Sequence, residues 1–132
     1  ASVQGEVATG SMALRVETAT GQSIGAVDGW PAFNGDRVLL GSGDRTYTVQ
    51  LSTTGASAPH VSKLPMRARL QNVSSEPSRL DFEFNGVGDV QVSFPRGLYS
   101  PTIDCGVPST FKDNVLTISF SAEGDHSCAV GW

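Results

Sequence analysis

Apolar residues in this chain recur at every second position, segment after segment. Thr46 to Ser52 sets Tyr47, Val49 and Leu51 against Thr46, Thr48, Gln50 and Ser52. Leu80, Phe82 and Phe84 repeat the pattern, as do Val90, Val92 and Phe94, and then Leu116, Ile118 and Phe120. Successive side chains on a strand point to opposite faces, so this spacing buries one face and wets the other. A helix would need apolar residues three and four apart, and no long segment has them. Composition agrees: 14 Val against 3 Ile, with 26 Ser and Thr, suits a pleated surface, and 15 Gly with 7 Pro supply turns.

The expected fold is all-β: a two-layer antiparallel β-sandwich, Ig-like or jelly-roll-like, with a closed β-barrel as the alternative. The 132 residues suit one domain, residues 1–132, because a chain of this length buries roughly two-thirds of its unfolded surface. Further strands are expected at Val3 to Val7, at Ser11 to Glu17 with Met12, Leu14 and Val16 on one face, and at Arg37 to Leu40. Met66 to Asn72 would place Met66, Ala68 and Leu70 inward, and a short last strand would run from Cys128 to Val130. Asn85-Gly86-Val87-Gly88-Asp89 reads as the turn of a hairpin, since Asn-Gly supplies the positive φ angles of tight turns. Thr53 to Pro59 reads as a loop between strands.

Seven Arg and two Lys face thirteen acids, a formal net charge of −4 that repels phosphate backbones and anionic membrane surfaces. Nucleic acid is therefore not an expected partner. Membrane insertion is not expected either, because the longest stretch free of charged residues, Thr46 to Ser62, is rich in Thr, Ser and Gln. The 22 residues between Cys105 and Cys128 suit one disulfide, worth about 3 kcal/mol in loop-closure entropy. A bridge implies an oxidising compartment, so the expected location is extracellular, secreted or surface-displayed. The opening Ala1-Ser2-Val3-Gln4-Gly5 has no basic or apolar run and reads as the start of a mature or excised domain. Asn72-Val73-Ser74 matches the N-glycosylation pattern.

Catalytic patterns are sparse. Gly21-Gln22-Ser23-Ile24-Gly25 matches the G-x-S-x-G nucleophile elbow but lacks the strand-to-helix context that strains such a serine into place. His60 and His126 are the only histidines, and neither stands in a recognisable catalytic order. No Met follows His126 and Cys128, and a bridged Cys128 cannot ligate, which argues against blue copper. Cofactors are not expected; calcium held by Asp28, Asp36 and Asp44 is the minor reading, tight Asx-Gly turns the major one. Lys63, Arg67 and Arg69 form a basic stripe expected to pair with Asp81 and Glu83 on the next strand.

Binding candidates are the aromatics in turn-rich segments. Trp30 and Phe33 sit in Asp28-Gly29-Trp30-Pro31-Ala32-Phe33-Asn34-Gly35, and Tyr99 with Arg96 in Pro95-Arg96-Gly97-Leu98-Tyr99-Ser100-Pro101. A loop aromatic can stack on a sugar ring or anchor a protein interface; alternatively Trp30 plugs one end of the sandwich. Trp132 is either a frayed end or a strand edge. The expected function is a non-catalytic ligand-binding module for a glycan or protein ligand, most simply carbohydrate, read through Trp30, Phe33, Arg96 and Tyr99. The alternatives are a structural surface, capsid-projection or fibre-forming domain that makes subunit contacts, and a small secreted hydrolase.

Overall fold

A computed structural model describes residues 3–7, 12–42 and 45–132. The chain is all-β, its antiparallel sheets packed as a β-sandwich with one sheet curled into a half-barrel. The strands run β1 (Val3–Val7), β2 (Met12–Val16), β3 (Ser23–Asp28), β4 (Phe33–Asn34), β5 (Arg37–Leu39), β6 (Thr48–Ser52), β7 (His60–Lys63), β8 (Arg69–Glu76), β9 (Arg79–Ser93), β10 (Thr102–Ile103), β11 (Ser109–Lys112) and β12 (Val115–Gly131). One sheet has the order β1-β2-β5-β4, and among the described residues β3 pairs with β6 alone. The large sheet is built on β9 and β12, with β7 and β8 along β9 and β10 and β11 along β12. Isolated parallel bridges, Ala32 to Val61 and Gly41 to Leu70, tie the first sheet to the large one.

The hairpin expected at Asn85–Asp89 does not form. β9 runs straight through those residues for 15 positions, and Leu80, Phe82, Phe84, Gly86, Val90, Val92 and Phe94 all turn inward. The even positions never change face. Gly86 and Gly88 stand in that row because the turn before β8 lies on them: a Cβ at Gly86 would come within 2.9 Å of the Ala68 Cβ, and one at Gly88 within 2.9 Å of the Pro65 Cβ. The true turns flank the segment. Pro77-Ser78 joins β8 to β9, and Asp113-Asn114, with φ of 53° and 60°, makes the two-residue turn between β11 and β12. The last strand is likewise no short piece but the end of the 17-residue β12.

The β9–β12 ribbon bends at its middle. A straight strand of 15 residues would span about 45 Å. Phe94 follows the Ser93↔Val115 end and Trp132 the Arg79↔Gly131 end, yet their ring centroids lie 5.6 Å apart. The register shift between Phe120 and Gly124, opposite Gly86 to Gly88, marks the corner, as bulges do where strands fold over their own sheet. His126 caps it: Nε2–H donates to the Ala122 carbonyl at 2.6 Å, and its ring packs on Phe84 and Phe120.

Several inward assignments need correction. Met66 is 65% exposed, because it sits in the Pro65–Ala68 turn that precedes β8. Ala68 and Leu70 are buried as expected. Leu51 is exposed and Tyr47 and Val49 only half-buried, since among the described residues β6 has β3 as its sole ladder partner. On β2, Val16 is buried and Leu14 half-buried, while Ala13 is buried on the opposite side against Leu39. Ser11 lies outside the described residues, as does the Met12 side chain. The basic stripe does not meet Asp81 and Glu83: Ser74 stands opposite Asp81, Asn72 opposite Glu83 and Arg69 opposite Asn85, while Asp81 pairs with Arg79 on its own strand. The Pro77-Ser78 turn sets that register, and the one-residue bulge at Gln71 shifts it by a single position beyond Asn72.

Candidate functional site

Trp30 and Phe33 belong to the core, which corrects the expectation that they offer free faces. Trp30 is 3% exposed, and its Nε1–H donates to the Leu39 carbonyl at 2.8 Å. Its ring meets Tyr47 edge-on, lies under the Arg45 guanidinium at 4.1 Å, and presses on Gly41 so closely that a Cβ there would be 2.5 Å away. Phe33 is buried on β4 and stacks coplanar with His60 at 3.9 Å. The His60 Nδ1–H donates to the Ala58 carbonyl at 3.0 Å. Burial pushes the His60 pKa below the ordinary histidine value, outweighing that hydrogen bond, so the ring is neutral near pH 7.

Tyr99 and Arg96 do come to the surface, and the ribbon's bend supplies them with neighbours that are distant in sequence. Phe94 is buried at the end of β9, and Tyr99, Phe111 and Trp132 pack round it at centroid distances of 4.9, 5.4 and 5.6 Å. Phe111 is 36% exposed, Tyr99 and Trp132 are half-buried, and Leu98 is fully exposed. Arg96 is exposed in the same loop. Asn114, in the β11–β12 turn, pins that loop by donating from Nδ2 to the Pro95 and Gly97 carbonyls at 3.0 and 3.3 Å. Three rings from three segments thus meet round Phe94, and the exposed Arg96 and Leu98 lie in the loop that carries Tyr99. Trp, Tyr and Arg are the residue types that dominate contact surfaces, since they offer large rigid area with polar edges.

A second feature lies beside the disulfide. Cys105 and Cys128 are bridged as expected, joining the segment after β10 to β12. An open groove of about 420 Å³ adjoins the bridge, lined by Arg79, Asp81, Glu83, Asp104 and Ser127. Its charges are largely used within the fold. Arg79 holds Asp81 at 3.0 Å, and the Asp104 carboxylate accepts the Ala129 amide at 3.0 Å. The hydrogen bond and charge of Asp81 raise the Arg79 pKa further above its ordinary value. On the same sheet, Asp125 accepts from Asn85 Nδ2 at 2.9 Å and Gln71 Nε2 at 3.1 Å, and these bonds lower its pKa.

The remaining candidates disperse. Asp28 accepts from Gln50 at 2.7 Å and Asp36 pairs with Arg15 at 3.2 Å, while Asp44 lies outside the described residues. Among the described residues no group of three His, Cys, Asp or Glu side chains is arranged to hold a metal ion. Gly21 lies in a turn and Ser23 to Gly25 already belong to β3, so the serine is followed by strand and not by helix. Asn72 is exposed on β8. No helix among the described residues is long and apolar enough to cross a membrane. No family model, curated protein or solved structure matches the chain.

Sequence reasoning missed Phe111, Leu98 and the pinning Asn114, whereas the burial of Trp30 agrees with its alternative reading as a plug. A signal for Asn114 was present: Asp-Asn between two alternating runs is a two-residue turn pair of the kind that tolerates left-handed φ.

Proposed function

We propose that this protein is a non-catalytic, extracellular ligand-binding module, and that it binds saccharide through the surface round Phe94. The gathering of Tyr99, Phe111 and Trp132 beside the exposed Arg96 carries this reading. Flat rings take the apolar face of a sugar, and a guanidinium donates to its hydroxyl or carboxylate oxygens. The disulfide supports an oxidising, extracellular compartment. A glycan-array screen of wild type, Arg96→Ala and Trp132→Ala tests it, with thermal unfolding recorded for each. Retention on a defined set of glycans, weakened several-fold by Arg96→Ala at unchanged melting temperature and abolished by Trp132→Ala, is the expected result. Retention indifferent to both substitutions, or none on any glycan, refutes it.

One observation favours a second reading, a subunit that contacts its neighbours. All four residues of β11 are exposed, its only ladder partner among the described residues is β12, and Leu98 is bare in the loop that Asn114 of the β11–β12 turn pins. An open edge of this kind templates pairing with another chain. Sedimentation over a range of concentrations separates the two: a defined oligomer without ligand, dispersed by Leu98→Ser, favours the subunit.

A further inference from the structure

Asn-Gly occurs twice, at Asn34-Gly35 and Asn85-Gly86. In such a pair the glycine has no side chain to hinder its backbone nitrogen from reaching the preceding carboxamide and closing a five-membered imide. The two copies stand in opposite surroundings. Asn85 is paired on both sides, with Arg69 of β8 and Asp125 of β12, and its Nδ2 donates to Asp125 at 2.9 Å. Gly86 is buried under Ala68. Imide geometry there requires lifting β9 out of two ladders, an opening close to global unfolding. Asn34 is the exposed last residue of β4, paired with Arg37 of β5, and the exposed Gly35, with φ of 63°, opens the two-residue Gly35-Asp36 turn between those strands. No hydrogen bond holds the Asn34 carboxamide among the described residues.

We propose that Asn34 is a site of spontaneous deamidation in the folded protein, with water as the only co-reactant. The Gly35 backbone nitrogen attacks Asn34 Cγ. A C–N bond forms, the Cγ–Nδ2 bond breaks, and ammonia leaves with the proton given up by the Gly35 amide. Water then opens the imide at either carbonyl to give aspartate or isoaspartate, and nothing is oxidised or reduced. Both products put a new negative charge opposite Arg37. The isoaspartyl product also adds one methylene to the main chain between the Asn34 Cα and the Gly35 nitrogen, on the turn side of the Asn34↔Arg37 pair.

The folded protein is incubated in mildly alkaline, heavy-oxygen water at body temperature, then digested and mapped by mass spectrometry. Asn34 is expected to take up heavy oxygen at least an order of magnitude faster than Asn85, because only Asn85 needs strand opening. In concentrated urea the two rates converge. Asn34→Gln abolishes the uptake at that position while the melting temperature stays put. Equal rates at the two asparagines in the folded protein would overturn the proposal, and so would an Asn34 that reacts in urea but not when folded.

Discussion

Trp30→Ala is the substitution that most sharply separates a core residue from a ligand contact. The ring is 3% exposed, and an aromatic of this size buries on the order of 200 Å², worth about 5 kcal/mol at about 25 cal/mol per Å². Cavity formation and the stranded Leu39 carbonyl add to that loss, while partial collapse of the site relieves it, so a cost of about 3–5 kcal/mol is expected. At roughly 2.1 cal/mol/K per residue, unfolding this chain carries an entropy of about 0.28 kcal/mol/K. The melting temperature should therefore fall by about 11–18 °C. Calorimetry or circular dichroism reads that directly. Gly41→Ala supplies an independent check, because its Cβ would intrude to 2.5 Å from the Trp30 ring. Alone it should destabilise strongly; with Trp30→Ala already present it should cost far less, since the ring it collides with is gone. A Trp30→Ala protein that melts within a degree or two of wild type refutes the core assignment, and additive costs in the double variant refute the contact with Gly41.

The lowered His60 pKa means the unfolded chain binds its proton first as pH falls. The stability that this neutral ring contributes is present above the unfolded value of about 6.5 and is lost as pH drops below it towards the folded value. Urea unfolding across that window should show the slope in wild type and a flatter profile in His60→Gln. Asp125 is depressed by the Asn85 and Gln71 amides, so Asn85→Ala should move its pKa back up in a carboxyl NMR titration. Its contribution to stability is present above the ordinary aspartate value and fades as pH falls through the lower folded one. Reducing the Cys105–Cys128 bridge should cost about 3 kcal/mol, read as a lower denaturation midpoint with wild-type spectra before unfolding.

Fold class was legible because alternation is local: each strand of the large sheet carries its own inside and outside. The course of the chain was less so. Asn85-Gly86 reads as a turn by residue type, and the unbroken inward row of even positions from Leu80 to Phe94 was the contrary signal. A hairpin reverses direction but need not keep that parity over an arbitrary turn, whereas a continuous strand must. The two readings of Trp30, free face or plug, could not be separated in the sequence because Gly and Pro flank it, and what buries it comes from Leu39, Gly41 and Tyr47 rather than its immediate neighbours. Tyr99 and Arg96 could be picked out from their loop, but Phe111 and Trp132 join them only through pairing and curvature that no short window of sequence contains.

The corner in the long ribbon has a consequence for evolution of the surface it creates. Rings contributed by opposite extremities of one two-stranded band are spaced by the band's curvature, so the aperture between Phe94's neighbours is inherited from residues outside the patch. A small side chain introduced at Gly88, or one residue removed from Ser121 to Glu123, would retune that aperture without altering a single member of the patch.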